Sequence, residues 1–219
     1  MVKRAFVFDM DGTIVDNMDF HLQSWVELFQ RRGVSIDPVA FFRDTAGRQG
    51  KEIIRSYLDA GLGDEDVTAM IDLKEEIYRE LYAAHRKELE GFSSFLADAK
   101  ARGIALAVAT SGPPANIAFI LDGLDLRRHF DAVVGAADVQ RGKPHPDVFL
   151  KAAEKLQVAP SSCVVFEDAP LGVEAARNAG MPCVVLSTTL DAAAFAGYDN
   201  VTAIAPDFTG LSVDDLLAA

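Results

Sequence analysis

Positive charge is scarce in this chain: 21 lysines and arginines face 33 aspartates and glutamates, a formal net charge of -12 over 219 residues. Broad binding to nucleic acid or to an anionic membrane needs a positive face, so neither partner is expected. If the substrate is an anion, positive charge must be supplied locally. Cysteine is scarce too. Cys163 and Cys183 begin the short apolar runs CVVF and CVVL, which suits reduced, buried thiols better than a disulfide framework. A long hydrophobic run at the start is also missing. MVKRAFVFDMDG places two basic residues before an apolar stretch, but Asp9 and Asp11 interrupt it too early for a signal peptide or a membrane span. A cytoplasmic location and, at this size, a monomer are the expectations. No internal repeat or low-complexity tract is evident.

What is present is a half-hydrophobic chain long enough for one sizeable core. Short β-rich runs recur at Ala5 to Phe8, Ile104 to Ala109, Ala132 to Val134, Cys163 to Phe166 and Cys183 to Leu186, with a weaker one near Val201 to Ile204. Between them lie helix-length stretches with amphipathic spacing, such as Phe92, Phe95, Leu96 and Ala99, or Val148, Phe149, Ala152, Ala153 and Leu156. This alternation predicts an α/β fold, a Rossmann-like parallel sheet core flanked by helices. From about Asp16 to Glu90 only helical patterns occur, among them Leu22, Trp25, Val26 and Phe29, then Ile71, Ile77 and Leu81. That interval is too long for a crossover and reads as an inserted all-helical cap domain. The predicted domains are therefore a core of residues 1–15 and 91–219 and a cap of residues 16–90.

Four constellations carry candidate chemistry. In FDMDGT, Asp9 and Asp11 follow directly on an apolar strand, and Gly12 permits a tight turn. A bare D-x-D-G is equally a turn that favours these residues. A calcium loop is excluded, because the glycine comes too early and Phe20 stands where a bidentate glutamate belongs. The functional reading makes Asp9 a nucleophile toward phosphorus and Asp11 a proton carrier, roles that need two carboxyl groups in different protonation states. Thr110, Ser111 and Gly112 end the run IALAVA and offer a hydroxyl and free N–H groups to phosphate oxygens, or a cap for the helix after Pro113 and Pro114. Lys143 stands in a loop between Gly142 and Pro144, where a lysine is otherwise a solvated surface group. Glu167 and Asp168 follow the fourth strand; such paired acids suit a hard cation with oxygen ligands, or one of them caps the next helix. All four sets fall at predicted strand ends or in the loops after strands, the face where such sheets bind ligands. Together they form a kit for phosphoryl transfer.

These segments resemble the haloacid dehalogenase superfamily, in particular its phosphatases and β-phosphoglucomutase-like members with a helical cap. FDMDGT resembles the first motif, ATSG the second, GKPHPDVF the third and FEDAPLGVEAARNAGM the fourth, in order and over nearly the whole chain. The resemblance implies that Asp9 forms an aspartyl-phosphate, and that Asp11 protonates the leaving oxygen and then activates water. It implies Mg2+ as cofactor, held by Asp9, Asp168 and the backbone carbonyl of Asp11, with Glu167 supporting the metal site. Thr110 and Lys143 would hold the phosphoryl group, with Ser111 and Gly112 beside it. An aspartate at Asp11 favours phosphoryl chemistry over dehalogenation.

The same resemblance assigns substrate binding in the cap to His21 and to the stretch Thr45 to Lys51, TAGRQGK, through Arg48 and Lys51. The partner implied is a small phosphorylated metabolite, a sugar phosphate in the first place. Mutases of the family carry a Ser-Lys-Asn-like run at the second motif. Here Gly112, Pro113 and Pro114 offer no lysine and lose two N–H donors, so hydrolysis is favoured over a β-phosphoglucomutase-type reaction. FDMDGT, Asn17-Met18, GRQG and EDAPLGVEA also resemble an inorganic pyrophosphatase of the superfamily, whose cap glutamate is matched by Ala46. A non-catalytic phospho-ligand binder is a third class, disfavoured because every catalytic position is filled. At the second cap hinge, Glu90-Gly91 replaces a more usual Pro-Gly, and a looser hinge is expected.

Overall fold

The computed structural model describes residues 4–45 and 50–218. The chain forms two compact units, one running up to Asp16 and resuming at Lys87, the other spanning Asn17–Arg86.

The first unit begins with strand β1 (Ala5–Phe8). The second unit follows with helices α1 (Met18–Arg31), α2 (Pro38–Thr45), α3 (Gly50–Tyr57) and α4 (Asp64–Tyr82). The first unit then continues through α5 (Phe92–Ala101), β2 (Ala105–Ala109), α6 (Pro114–Leu121), β3 (Ala132–Val134), α7 (Asp147–Leu156), β4 (Cys163–Glu167), α8 (Pro170–Asn178), β5 (Cys183–Leu186), β6 (Val201–Ala205) and α9 (Val213–Ala218).

The six strands form one parallel sheet in the order β3-β2-β1-β4-β5-β6. From β1 the chain winds outward to β3, then returns to the other side of β1 for β4. The strand order therefore reverses beside β1, and the crevice at its carboxyl end is where sheets of this kind bind ligands. Register brings the ends together: Phe8 pairs with Val108 on β2 and with Phe166 on β4.

Strands β1, β2 and β5 are buried along their whole length and β4 at all but Val164, which is why they read as unbroken apolar runs rather than alternating ones. Their side chains still divide by twos. Ala5, Val7, Cys163 and Val165 enter a core with Val148, Phe149, Ala152 and Val173 of α7 and α8. Phe6, Phe8 and Phe166 point the other way, into an aromatic cluster with Phe92 and Phe95 of α5 and with Phe208; the Phe8 and Phe166 rings stack at 4.5 Å. Cys163 and Cys183 are free thiols inside the sheet. Edge strand β6 does alternate, with Thr202 and Ile204 exposed.

Glu90 and Gly91 lie inside this first unit and are packed against its other segments. The Glu90 carbonyl accepts from the Phe208 N–H at 3.0 Å, and Leu89 N–H donates to Ile14 O at 2.8 Å. Gly91 has a φ of +79°, and a β-carbon there would meet the Thr209 nitrogen at 2.8 Å, so backbone closeness requires glycine.

In the helical unit, Leu28, Ile54, Val67, Met70 and Ile77 make one core cluster and Phe29, Phe41 and Ile53 another. Leu81, counted in the α4 apolar pattern, is 37% exposed; the buried stripe runs instead through Val67, Met70, Lys74, Ile77, Tyr78 and Tyr82. A lysine and two tyrosines on that stripe hide it from a purely apolar reading. No described helix is long and apolar enough to cross a membrane.

Candidate active site

Asp9 is the first residue past β1, Thr110 the first past β2, Glu167 the last of β4, and Asp168 follows it. Sheet register makes these positions neighbours. The Asp9 N–H donates to Phe166 O at 2.9 Å and the Thr110 N–H to Val134 O at 3.0 Å, so both turns are extensions of the ladder. All four side chains are buried. Lys143, from the loop between β3 and α7, reaches in and donates to Asp9 Oδ1 and Glu167 Oε1, each at 2.6 Å. Its ammonium also lies 5.0 Å from the Phe149 ring centroid. The loop is fixed by Arg141 paired with Asp147 and by Asn178 donating to Pro144 O at 3.0 Å.

Glu167 is fully engaged. Oε1 takes Lys143, and Oε2 accepts the N–H groups of Asp168 and Ala169, both at 2.9 Å. Asp168 Oδ2 accepts from the Thr189 hydroxyl. Thr110 Oγ1 accepts from the Gly112 N–H at 2.9 Å, shaping the second turn. Gly112 itself is buried while Ser111 is exposed. Asp11 is half-buried, and its Oδ2 would lie 3.7 Å from a β-carbon placed on Gly112, so the first and second turns face each other.

Charge at this centre is unbalanced. Asp9, Glu167 and Asp168 each bring an oxygen within 4.8 Å of the others, against the single ammonium of Lys143 among the described residues. Burial pushes the Asp9 carboxyl up to about 7; Lys143 opposes this, and Glu167 and Asp11 add to it. Asp168 is raised by burial and by the charges of Glu167 and Asp9. Burial works against the Lys143 ammonium, but Asp9 and Glu167 outweigh it and hold the lysine charged. A cluster of hard carboxylate oxygens that is short of positive charge suits a divalent cation such as Mg2+.

The remaining candidates belong to the helical unit. Lys51 is exposed on α3. Arg48, and Ala46 with it, fall outside the described residues. His21 stacks on Tyr78 at 3.8 Å between ring centroids, and its Nδ1 accepts from the buried Lys74 ammonium at 2.7 Å. Lys74 also donates to Glu75 at 3.0 Å and lies 5.5 Å from the Trp25 ring. A cavity of about 490 Å³ opens at the other end of β2, beside Ile104 and Ala105. Its lysines are hydrogen-bonded, Lys155 to Val133 O and Asp138 and Lys100 to Arg128 O, and its Asp131 accepts from the Leu106 N–H.

Sequence reasoning missed three contributors. Thr188 and Thr189 follow β5, and Gly172 lies in α8. The sequence signal for the threonines was available: Ser187, Thr188 and Thr189 stand directly after CVVL, at a strand's carboxyl end like the other four sets.

A buried carboxylate and lysine centre at the switch point of a parallel sheet defines the chain as an α/β enzyme. The family model of haloacid dehalogenase-like hydrolases matches residues 3–180, and the chain belongs to that family. It is 34% identical to validoxylamine A 7'-phosphate phosphatase of Streptomyces hygroscopicus subsp. limoneus, covering 90% of this chain and 91% of that one. It is 35% identical to a fructose-1-phosphate phosphatase of Escherichia coli, covering 82% and 94%. Among solved structures, a β-phosphoglucomutase of Clostridium difficile superposes with a TM-score of 0.84 at 25% identity, covering 100% and 96%. The protein is thus a hydrolase, and its phosphatase relatives fit the phosphoric monoester class.

Proposed function

We propose that the protein is a Mg2+-dependent phosphatase that hydrolyses a small phosphorylated metabolite, a sugar phosphate in the first place, through an aspartyl-phosphate on Asp9. The observation that carries this reading is the double hydrogen bond of Lys143 to Asp9 and Glu167 beside the buried Asp168. It is supported by the phosphatases among the relatives. The residues suited to hold Mg2+ are Asp9, Asp168 and the backbone carbonyl of Asp11. Glu167, whose two oxygens are already engaged, positions Lys143 and the start of α8. Bound there, Mg2+ supplies positive charge that offsets repulsion between a carboxylate nucleophile and an anionic ester.

The chain's own residues divide the remaining work. Asp9 attacks phosphorus; the ester P–O bond breaks, and Asp11 gives its proton to the departing oxygen. Asp11 then takes a proton from water as that water attacks the phospho-aspartate, releasing inorganic phosphate and restoring Asp9. Lys143, the Thr110 hydroxyl and the Ser111 N–H bind the phosphoryl oxygens, while Gly112, whose own N–H is taken by Thr110 Oγ1, lines the turn beside them. His21, Arg48 and Lys51 recognise the non-reacting part of the substrate, with the helical unit serving as the cap. The Gly112-Pro113-Pro114 run leaves few donors for a second phosphate, which makes water the acceptor. A soluble monomer in the cytoplasm completes the reading.

The test is to incubate the pure protein with fructose 1-phosphate, other sugar phosphates, β-glucose 1-phosphate and pyrophosphate, with Mg2+ or with EDTA. Phosphate release and isomer formation are both measured. Mg2+-dependent release from a sugar phosphate, abolished by Asp9→Asn, is expected. Rapid conversion of β-glucose 1-phosphate to glucose 6-phosphate would establish the mutase instead, and release from pyrophosphate alone the pyrophosphatase. Arg48→Ala should raise the Michaelis constant; an unchanged value removes Arg48 from the site.

A further inference from the structure

Asp168 and Glu167 are adjacent buried carboxylates held in opposite ways. Glu167 has three donors, whereas among the described residues the Asp168 carboxylate has one, the Thr189 hydroxyl on Oδ2. Its other oxygen, Oδ1, therefore has no protein donor among the described residues. Backbone closes the remaining space around Oδ2. Gly12 packs so tightly that a β-carbon on it would lie 2.1 Å from Asp168 Oδ2 and 3.0 Å from Thr189 Oγ1. The neighbouring Thr188 hydroxyl donates to the Gly12 carbonyl, so the turn after β5 grips the turn that carries Asp9 and Asp11. Two adjacent hydroxyls thus join three strand ends, those of β1, β4 and β5.

We infer that Thr189 is a positioning residue for the cation: its hydroxyl fixes Oδ2 of Asp168, leaves Oδ1 for the metal, and so sets the affinity for Mg2+. This rests on the phosphatase reading above. Outer hydrogen bonds to metal-ligating carboxylates orient the ligand, and their loss typically costs about 10–100-fold in metal affinity. Valine matches threonine in shape and lacks only the donor, so Thr189→Val isolates the hydroxyl.

The experiment is calorimetric titration of Mg2+ into EDTA-treated wild type, Thr189→Val and Thr189→Ser, with circular dichroism to verify folding. The expected result is a Mg2+ dissociation constant about 10-fold or more higher for Thr189→Val and near wild type for Thr189→Ser. The Mg2+ dependence of phosphate release should shift along the same axis. If Thr189→Val does not fold, Thr189→Ala removes the hydroxyl without adding a second methyl and takes its place. Wild-type affinity in the folded variant lacking the hydroxyl overturns the inference, as does equal loss in Thr189→Ser, which would mean packing rather than hydrogen bonding. Wild type that binds no Mg2+ or releases no phosphate would overturn the phosphatase reading itself, a distinct outcome.

Discussion

A β-carbon on Gly172 would lie 1.7 Å from Oε1 of Glu167, the oxygen that accepts from Lys143. The first turn of α8 is thereby shaped around a carboxylate. Glu167 cannot retreat cheaply, because Oε2 is tied to two backbone N–H groups and its side chain is 1% exposed. Gly172→Ala must therefore either displace Glu167 or bend α8. Overpacking of this kind costs about 1–3 kcal/mol. We expect a lower urea midpoint together with at least a tenfold loss of phosphatase activity, since Lys143 loses its anchor; a variant with wild-type midpoint and turnover would disprove the steric argument.

Lys143 is the one cation hydrogen-bonded to the carboxylate cluster among the described residues. Removing one member of a buried ion pair leaves uncompensated charge, at a cost of about 3–5 kcal/mol. Lys143→Met should destabilise the metal-free protein by that order and lower kcat by about 10²–10³, the cost of losing a preorganised donor to a phosphoryl oxygen. Chemical denaturation in EDTA and steady-state kinetics in Mg2+ check the two parts separately.

The Asp9 carboxyl, raised from 3.8 to about 7 chiefly by burial, has a thermodynamic consequence of definite sign. The folded chain holds this proton more tightly than the unfolded chain. Asp9 therefore contributes stability that falls as pH rises from about 4 through about 7 and stays low above that. Asparagine cannot ionise. In EDTA, Asp9→Asn should be more stable than wild type at pH 8, with the gap narrowing toward pH 5. Added Mg2+ should stabilise wild type and remove most of the advantage. Urea unfolding at the two pH values measures this, and a gap that widens on acidification would refute it.

In the helical unit, an ammonium has no acceptor, so the contact of Lys74 with His21 makes Nδ1 the acceptor. The neutral His21 ring then carries its hydrogen on Nε2. Long-range 15N NMR should show this single tautomer in wild type and a mixture in Lys74→Met. A proton on Nδ1 in wild type would contradict the hydrogen bond.

Much of this protein follows from sequence alone, for local reasons. Strands buried on both faces leave unbroken apolar runs, and carboxylates placed directly after such runs, as in FDMDGT and FEDA, announce the binding end of the sheet. The helical interval was visible because it lacks such runs. Tertiary structure alone decided the rest. Thr189 and Asp168 are 21 residues apart, and Thr188 and Gly12 are 176 apart, so only the order β1-β4-β5 makes them partners. Gly172 was within a quoted motif, yet its role depends on where the Glu167 side chain goes, which no spacing reveals. Lys74 sits on a buried helical face where sequence logic expects an apolar residue, and it is accommodated by His21, Glu75 and two aromatic rings. Periodicity along a chain determines which elements form and which ends carry charge. Hydrogen-bond partners and close approaches arise between segments distant in sequence, so they are settled only when the sheet is assembled.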